Sequence, residues 1–169
     1  MRKNLTSPSE ENYLEWIYRF SQSGPVRPRD LANNLGIKPP SVTKAVSSLV
    51  QKGLVRREPQ GTLKLTAQGE LLGKAVVRRG NCLTKLLVEI LNMPSEQADQ
   101  EVHRLEHVLS EDVLMRLEVL IAFAQQSPAW LKRLHLRMSQ IPDVDVSERK
   151  ILVGQTPTHS GFSRKQIDG

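Results

Sequence analysis

Aromatic side chains make up only 4% of this 169-residue chain, and cysteine occurs once, at Cys82. A single thiol excludes an intrachain disulfide and points to a reducing compartment. No apolar run approaches the ~20 residues needed to cross a bilayer, so no membrane partner is expected. The opening stretch Met1-Arg2-Lys3-Asn4-Leu5-Thr6-Ser7-Pro8 has no apolar centre of the kind a secretion signal requires. A cytoplasmic location is the resulting expectation. With aromatics scarce, Leu and Val supply most of the apolar mass, as packed helices require. No internal repeat is visible.

What the chain does have is uneven charge. Residues 1–80 hold 14 Lys/Arg against 6 Asp/Glu, whereas residues 81–169 hold 10 against 12. A basic first half beside a slightly acidic second half implies a polyanionic partner for the first half alone.

That basic half is rich in helix punctuation. Ser7-Pro8-Ser9-Glu10 predicts an N-cap, a proline in the first turn and a capping box, starting a helix that runs to about Gln22. Its apolar side carries Tyr13, Trp16, Ile17 and Phe20. A short helix from Arg29 to Leu35 is closed by Gly36. Pro40 opens a third helix ending near Gly53, with Val42, Val46, Leu49 and Val50 as the buried stripe. Pro40, Lys44, Ser47, Ser48 and Gln51 share the opposite face. Leu54–Arg57 and Thr62–Leu65 flank a Glu58-Pro59-Gln60-Gly61 turn and read as a β-hairpin. Three helices and a hairpin in this order predict a winged helix-turn-helix.

Thr66 caps a long helix expected to reach about Leu91, where Asn92-Met93-Pro94 breaks it. Ser95, Ser110 and Ser127-Pro128 start three more helices, the last ending before Pro142. Helices 95–140 carry more Leu and Val than a small bundle needs to cover itself, so the surplus predicts a homodimer. The fold class is mainly α: a winged-helix DNA-binding domain over 1–72, an all-helical metal-binding and dimerisation domain over 73–140, and a polar extension over 141–169. Only Ile151-Leu152-Val153 in that extension resembles a strand, and the segment is expected to be flexible or draped on the body.

Double-stranded DNA is the polyanion that suits such a module. Ser41 and Lys44, near the start of the third helix, are placed to reach base edges, with Thr43 and Ser47 on the same helix and the rings of Pro39 and Pro40 suited to thymine methyls. Arg27, Arg29, Lys38, Lys52, Arg56, Arg57 and Lys64 are expected at phosphates, where they fix position and carry no sequence information. Docking another protein is the competing use of such a module.

The second half holds one constellation with chemistry. His103, Glu106 and His107 stand at i, i+3 and i+4, so on a helix they converge on one point. Two imidazoles and a carboxylate suit a divalent first-row metal. The same H-x-x-E-H spacing marks inverted zinc peptidases. That reading needs a further ligand and a walled substrate cleft, which a slim helical chain does not supply, so neither an enzyme nor a small-molecule substrate is expected. A polar helix face, with Glu106 paired to a neighbour, stays open as the plain alternative.

Ser9–Tyr18, Pro39–Thr43, Lys52–Val55, Leu65–Gly69 and Arg104–Ser110, in that order, resemble the diphtheria toxin repressor and manganese transport regulator family, without obvious gaps from about residue 5 to 125. The resemblance implies a homodimeric, metal-activated repressor of metal-homeostasis genes that reads a palindromic operator. It also implies ligands. Glu15, Glu106 and His107 match family positions, and His103 stands where the family uses Cys or Glu. Asn12 replaces an acidic residue and could serve through its carbonyl, while Gly80 replaces a histidine. With those two departures, one metal ion per protomer is expected in preference to a two-metal site. The absence of thiolate and thioether ligands leans toward Mn²⁺ or Fe²⁺ over Zn²⁺, although two His and two Glu would also satisfy zinc. A DNA-binding dimer whose metal site has decayed is the alternative they raise. Cys82 is read as a small buried apolar residue and not as a ligand.

Overall fold

The computed structural model describes residues 6–140, so the 141–169 extension and its expected strand lie outside the described residues. Helix α1 (Pro8–Ser21) begins on the expected capping box: the Glu10 backbone donates to Ser7 Oγ, and the Ser7 backbone donates to the Glu10 carboxylate. Helix α2 (Pro28–Leu35) ends on Gly36 in the left-handed region at φ 61°, where glycine has no Cβ to clash. Helix α3 (Pro39–Gln51) starts one residue earlier than expected, with both prolines in its first turn.

Strands β1 (Val55–Arg57) and β2 (Leu63–Leu65) pair antiparallel with Arg56 opposite Lys64. Val26 extends this wing by an isolated bridge to Leu63. Leu14, Ile17, Leu31, Val42, Val46, Leu49, Leu54 and Val55 form one core, each nearly or wholly shielded from solvent. Full burial of one such side chain stabilises the fold by roughly 2 kcal/mol.

Helix α4 (Ala67–Thr84) joins this core to a second one. It lies so close to the winged helix that a Cβ on Gly69 would overlap the Leu54 carbonyl, and one on Gly73 would meet Tyr18 Cβ at 2.8 Å. The second core gathers Cys82, Ile90, Leu114, Ile121 and Ala124, packed by Trp130, Leu131 and Leu134. Most of it comes from α4, α6 (Glu111–Gln125) and α7 (Pro128–Met138), while α5 (Ser95–Leu105) packs against α4 and contributes none of these residues.

Two helices end differently from the sequence reading. The helix expected to reach Leu91 is α-helical only to Thr84 and continues as a π-helical segment, Lys85–Ile90. Its wider turn appears in the Leu91 N–H bond to the Leu86 carbonyl, and His135 of α7 turns its ring to the freed carbonyls of Glu89 and Ile90. Helix α5, expected to run through the His/Glu cluster, stops at Leu105. Glu106 is its C-cap, still right-handed at φ −61°, ψ −28°, and His107 sits in the following turn. The bonds from Val108 and Leu109 back to the Leu105 carbonyl tighten the chain for entry into α6, which Ser110 caps.

Candidate metal centre and DNA-reading face

Because Glu106 keeps helical dihedrals, the early end of α5 does not scatter the cluster. One ligand-type atom from each of His103, Glu106 and His107 lies within 4.8 Å of the others. His103 Nδ1 is 3.4 Å and His107 Nε2 is 3.6 Å from Glu106 Oε1. Glu106 is 4% exposed, while His103 is open to solvent. Burial pushes the Glu106 pKa upward, as does the negative charge of Glu15, against the lowering effect of the two histidines.

Two further expected ligands lie on the wall of the same place. Asn12 and Glu15 of α1 line a cleft of about 300 Å³ together with Gly80, His103 and Glu106. Glu15 now bonds Arg19 at 2.8 Å. Gly80 leaves the cleft open beside Glu106, since an added Cβ there would stand 3.2 Å from Glu106 Oε2. Cys82 faces the second core, and burial raises its thiol pKa.

Two participants, Asp99 and Glu11, escaped the sequence reading. Asp99 also lines the cleft; its signal was its place one turn before His103 on the same helix. Glu11, one turn before Glu15, pairs with His107 Nδ1 at 2.9 Å and with Arg79 Nη2 at 3.0 Å. No local pattern announces the partners of Glu11, which lie 68 and 96 positions away.

The donor set fits a divalent cation. His107 Nε2 is buried with no hydrogen-bond partner among the described residues, although it faces a carboxylate. An unprotonated imidazole nitrogen left bare in the interior is costly unless an electrophile completes it. His103, Glu106 and His107 would hold the ion, with Glu15 across the cleft.

The DNA-reading candidates all lie on the surface: Arg27, Arg29, Lys38, Pro39, Pro40, Ser41, Thr43, Lys44, Ser47, Arg57 and Lys64 are exposed. The Thr43 hydroxyl bends back to the Pro39 carbonyl. One expectation needs correction, and one residue gains a partner. Lys52, expected at a phosphate, places its ammonium 2.6 Å from Glu10, and Ser48, expected on the open face of α3, donates to the same carboxylate at 2.7 Å. Ser48 is thereby turned toward α1, while Lys52, just past the end of α3, stays exposed with its ammonium held at Glu10.

A winged helix with exposed basic side chains, joined by one long helix to a helical module that carries a His/Glu cluster, has the layout of a DNA-binding regulator. Family comparison agrees. Residues 5–63 match the iron dependent repressor N-terminal DNA binding domain, and residues 66–134 match the iron dependent repressor metal binding and dimerisation domain. The chain belongs to this family, which includes the diphtheria toxin repressor and the manganese regulators; its members are transcriptional repressors and not enzymes.

The HTH-type transcriptional regulator MntR of Lysinibacillus sphaericus is 32% identical over 137 residues, covering 80% of this chain and 98% of its own. The iron-dependent repressor IdeR of Mycobacterium tuberculosis is 37% identical over 120 residues, covering 70% of this chain but only 52% of its own. The chain therefore spans about half the length of such longer relatives. A manganese-dependent transcriptional repressor solved with manganese superposes with a TM-score of 0.61 at 26% identity, covering 68% of this chain and 53% of the other. Among the described residues no helix is long and apolar enough to cross a membrane.

Proposed function

We propose that this chain is a homodimeric transcriptional repressor that binds a palindromic operator when a divalent metal, Mn²⁺ or Fe²⁺, occupies the site formed by Glu15, His103, Glu106 and His107. The orphaned His107 Nε2 beside the buried Glu106 carboxylate carries the reading. When bound, the ion supplies positive charge shared between a carboxylate of α1 and the ligands at the end of α5. Asn12 can add its carbonyl from the same wall, while Gly80 offers the cleft no side-chain ligand. That supports one ion per protomer. Oxygen and imidazole donors, with no thiolate, suit Mn²⁺ or Fe²⁺.

Glu15 belongs to the winged helix and the other ligands to the helical module, so a shared ion restrains one against the other. A dimer reads half-sites roughly 34 Å apart, and restraining the two winged helices near that spacing favours the operator. Ser41, Lys44 and Ser47 would meet base edges, while Arg27, Arg29, Lys38, Arg57 and Lys64 meet phosphates. Met115, Val119 and Phe123 stand four apart on α6 and are all exposed, which suits them to the dimer contact. Glu15→Ala tests the coupling. It should weaken Mn²⁺ binding and, at a fixed sub-saturating Mn²⁺ level, operator binding, each by about tenfold or more. Metal-dependent operator binding that survives unchanged defeats the coupling.

A further inference from the structure

The metal reading leaves one buried interaction unexplained. Glu11 is the residue before Asn12, and neither the spacing of the His/Glu cluster nor the cleft includes it. Its carboxylate nevertheless contacts one of the cluster's imidazoles directly. Glu11 Oε2 lies 2.9 Å from His107 Nδ1 and 3.0 Å from Arg79 Nη2, and its Oε1 accepts from the Thr6 hydroxyl at 3.2 Å. The side chains of Glu11 and His107 are 13% and 11% exposed, so water competes weakly for these bonds.

A carboxylate can only accept at Nδ1, so the ring proton of a neutral His107 must sit there. Nε2 then carries the lone pair, and Nε2 is the buried atom without a partner, facing Glu106 at 3.6 Å. The opposite tautomer would set a nitrogen lone pair against the carboxylate of Glu11. Arg79 and Thr6 hold that carboxylate from its other sides, so its orientation does not depend on the imidazole alone.

Resting on the metal-sensor reading above, we infer that Glu11 is a positioning residue of the centre: it fixes the tautomer and ring orientation of His107 and presents Nε2 to the ion. A carboxylate behind a metal-bound imidazole sets ligand direction and raises its basicity. Glu11 therefore need not touch the ion to govern its affinity.

Two measurements on the full chain test this. In metal-free wild type, ¹⁵N NMR of the imidazoles near pH 8.5, well above the usual histidine pKa of about 6.5, should show His107 as the Nδ1–H tautomer. Titration of stripped protein with Mn²⁺ against a chelating dye should give Glu11→Ala a Kd roughly 10–100-fold weaker. Glu11→Gln keeps a carbonyl acceptor for Nδ1–H and should recover most of that loss, which general damage to the fold would not allow. An Nε2–H tautomer in wild type overturns the proposal, and this holds even if Glu11→Ala does not fold. Undiminished Mn²⁺ affinity in Glu11→Ala also overturns it, as does a Glu11→Gln loss equal to that of Glu11→Ala; each leaves the sensor reading standing. Wild type that takes up no Mn²⁺, Fe²⁺ or Zn²⁺ sinks both.

Discussion

Glu10 and Glu11 are neighbours in the chain whose side chains serve opposite directions. Glu11 reaches Arg79 and His107, whereas Glu10 grips Ser48 and Lys52 of α3. Burial alone would raise the Glu10 pKa. The Lys52 ammonium, the Ser48 hydroxyl and the two Ser7 bonds outweigh it and lower the value from 4.5 to about 2. A folded-state pKa below the unfolded value gives stability that is fully present above about pH 4.5 and disappears as pH falls through about 2. Glu10→Gln should therefore lose about 2 kcal/mol at neutral pH, since bonds to charged groups carry that order of energy. Urea unfolding at several pH values should show the difference from wild type shrinking between pH 4.5 and 2. A difference that stays constant across that window would show that the charge of Glu10 contributes nothing.

Among the elements, α4 decides how the two halves meet. Its first turns approach the winged helix through Gly69 and Gly73, and Arg78 further along pairs with Glu111 and Glu118 of α6. Gly69→Ala would drive a methyl into the Leu54 carbonyl and should destabilise the protein by about 3 kcal/mol, read as a lowered denaturation midpoint. A change within about 0.5 kcal/mol would mean that α4 is free to slide. The elements themselves were largely legible. Ser7, Thr66, Ser110 and Gly36 cap where their chemistry predicted, because capping is a local interaction. The π turn at Lys85–Ile90 was hidden, because its freed carbonyls are met by His135, 45 or more positions away. The stop of α5 at Leu105 was hidden too, since Glu106 and His107 carry no helix-breaking residue. In the site, the i, i+3, i+4 spacing was enough to identify His103, Glu106 and His107. The roles of Lys52 and Glu11 depend on partners 42 and 96 positions away, which periodicity cannot reveal.

Over the whole molecule, the proposed function requires two copies, each holding one ion, to act on a single geometry. The Met115, Val119 and Phe123 stripe lies on α6, away from every proposed metal ligand in sequence. Val119 is 70% exposed, so Val119→Asp leaves each core intact. If this stripe is the subunit contact, two facing carboxylates should weaken association by about 3 kcal/mol. Sedimentation at micromolar concentration would then show monomer, with Mn²⁺ affinity little changed; an unaltered dimer would place the contact elsewhere. The central claim is that a divalent cation at the end of α5 switches operator binding. The most direct measurement is an operator titration of thoroughly stripped full-length protein, at one fixed salt concentration because phosphate contacts are steeply salt-dependent, with and without Mn²⁺ or Fe²⁺. The account predicts affinity tighter by about 10–100-fold with metal, and equal affinity in the stripped and loaded protein would contradict it.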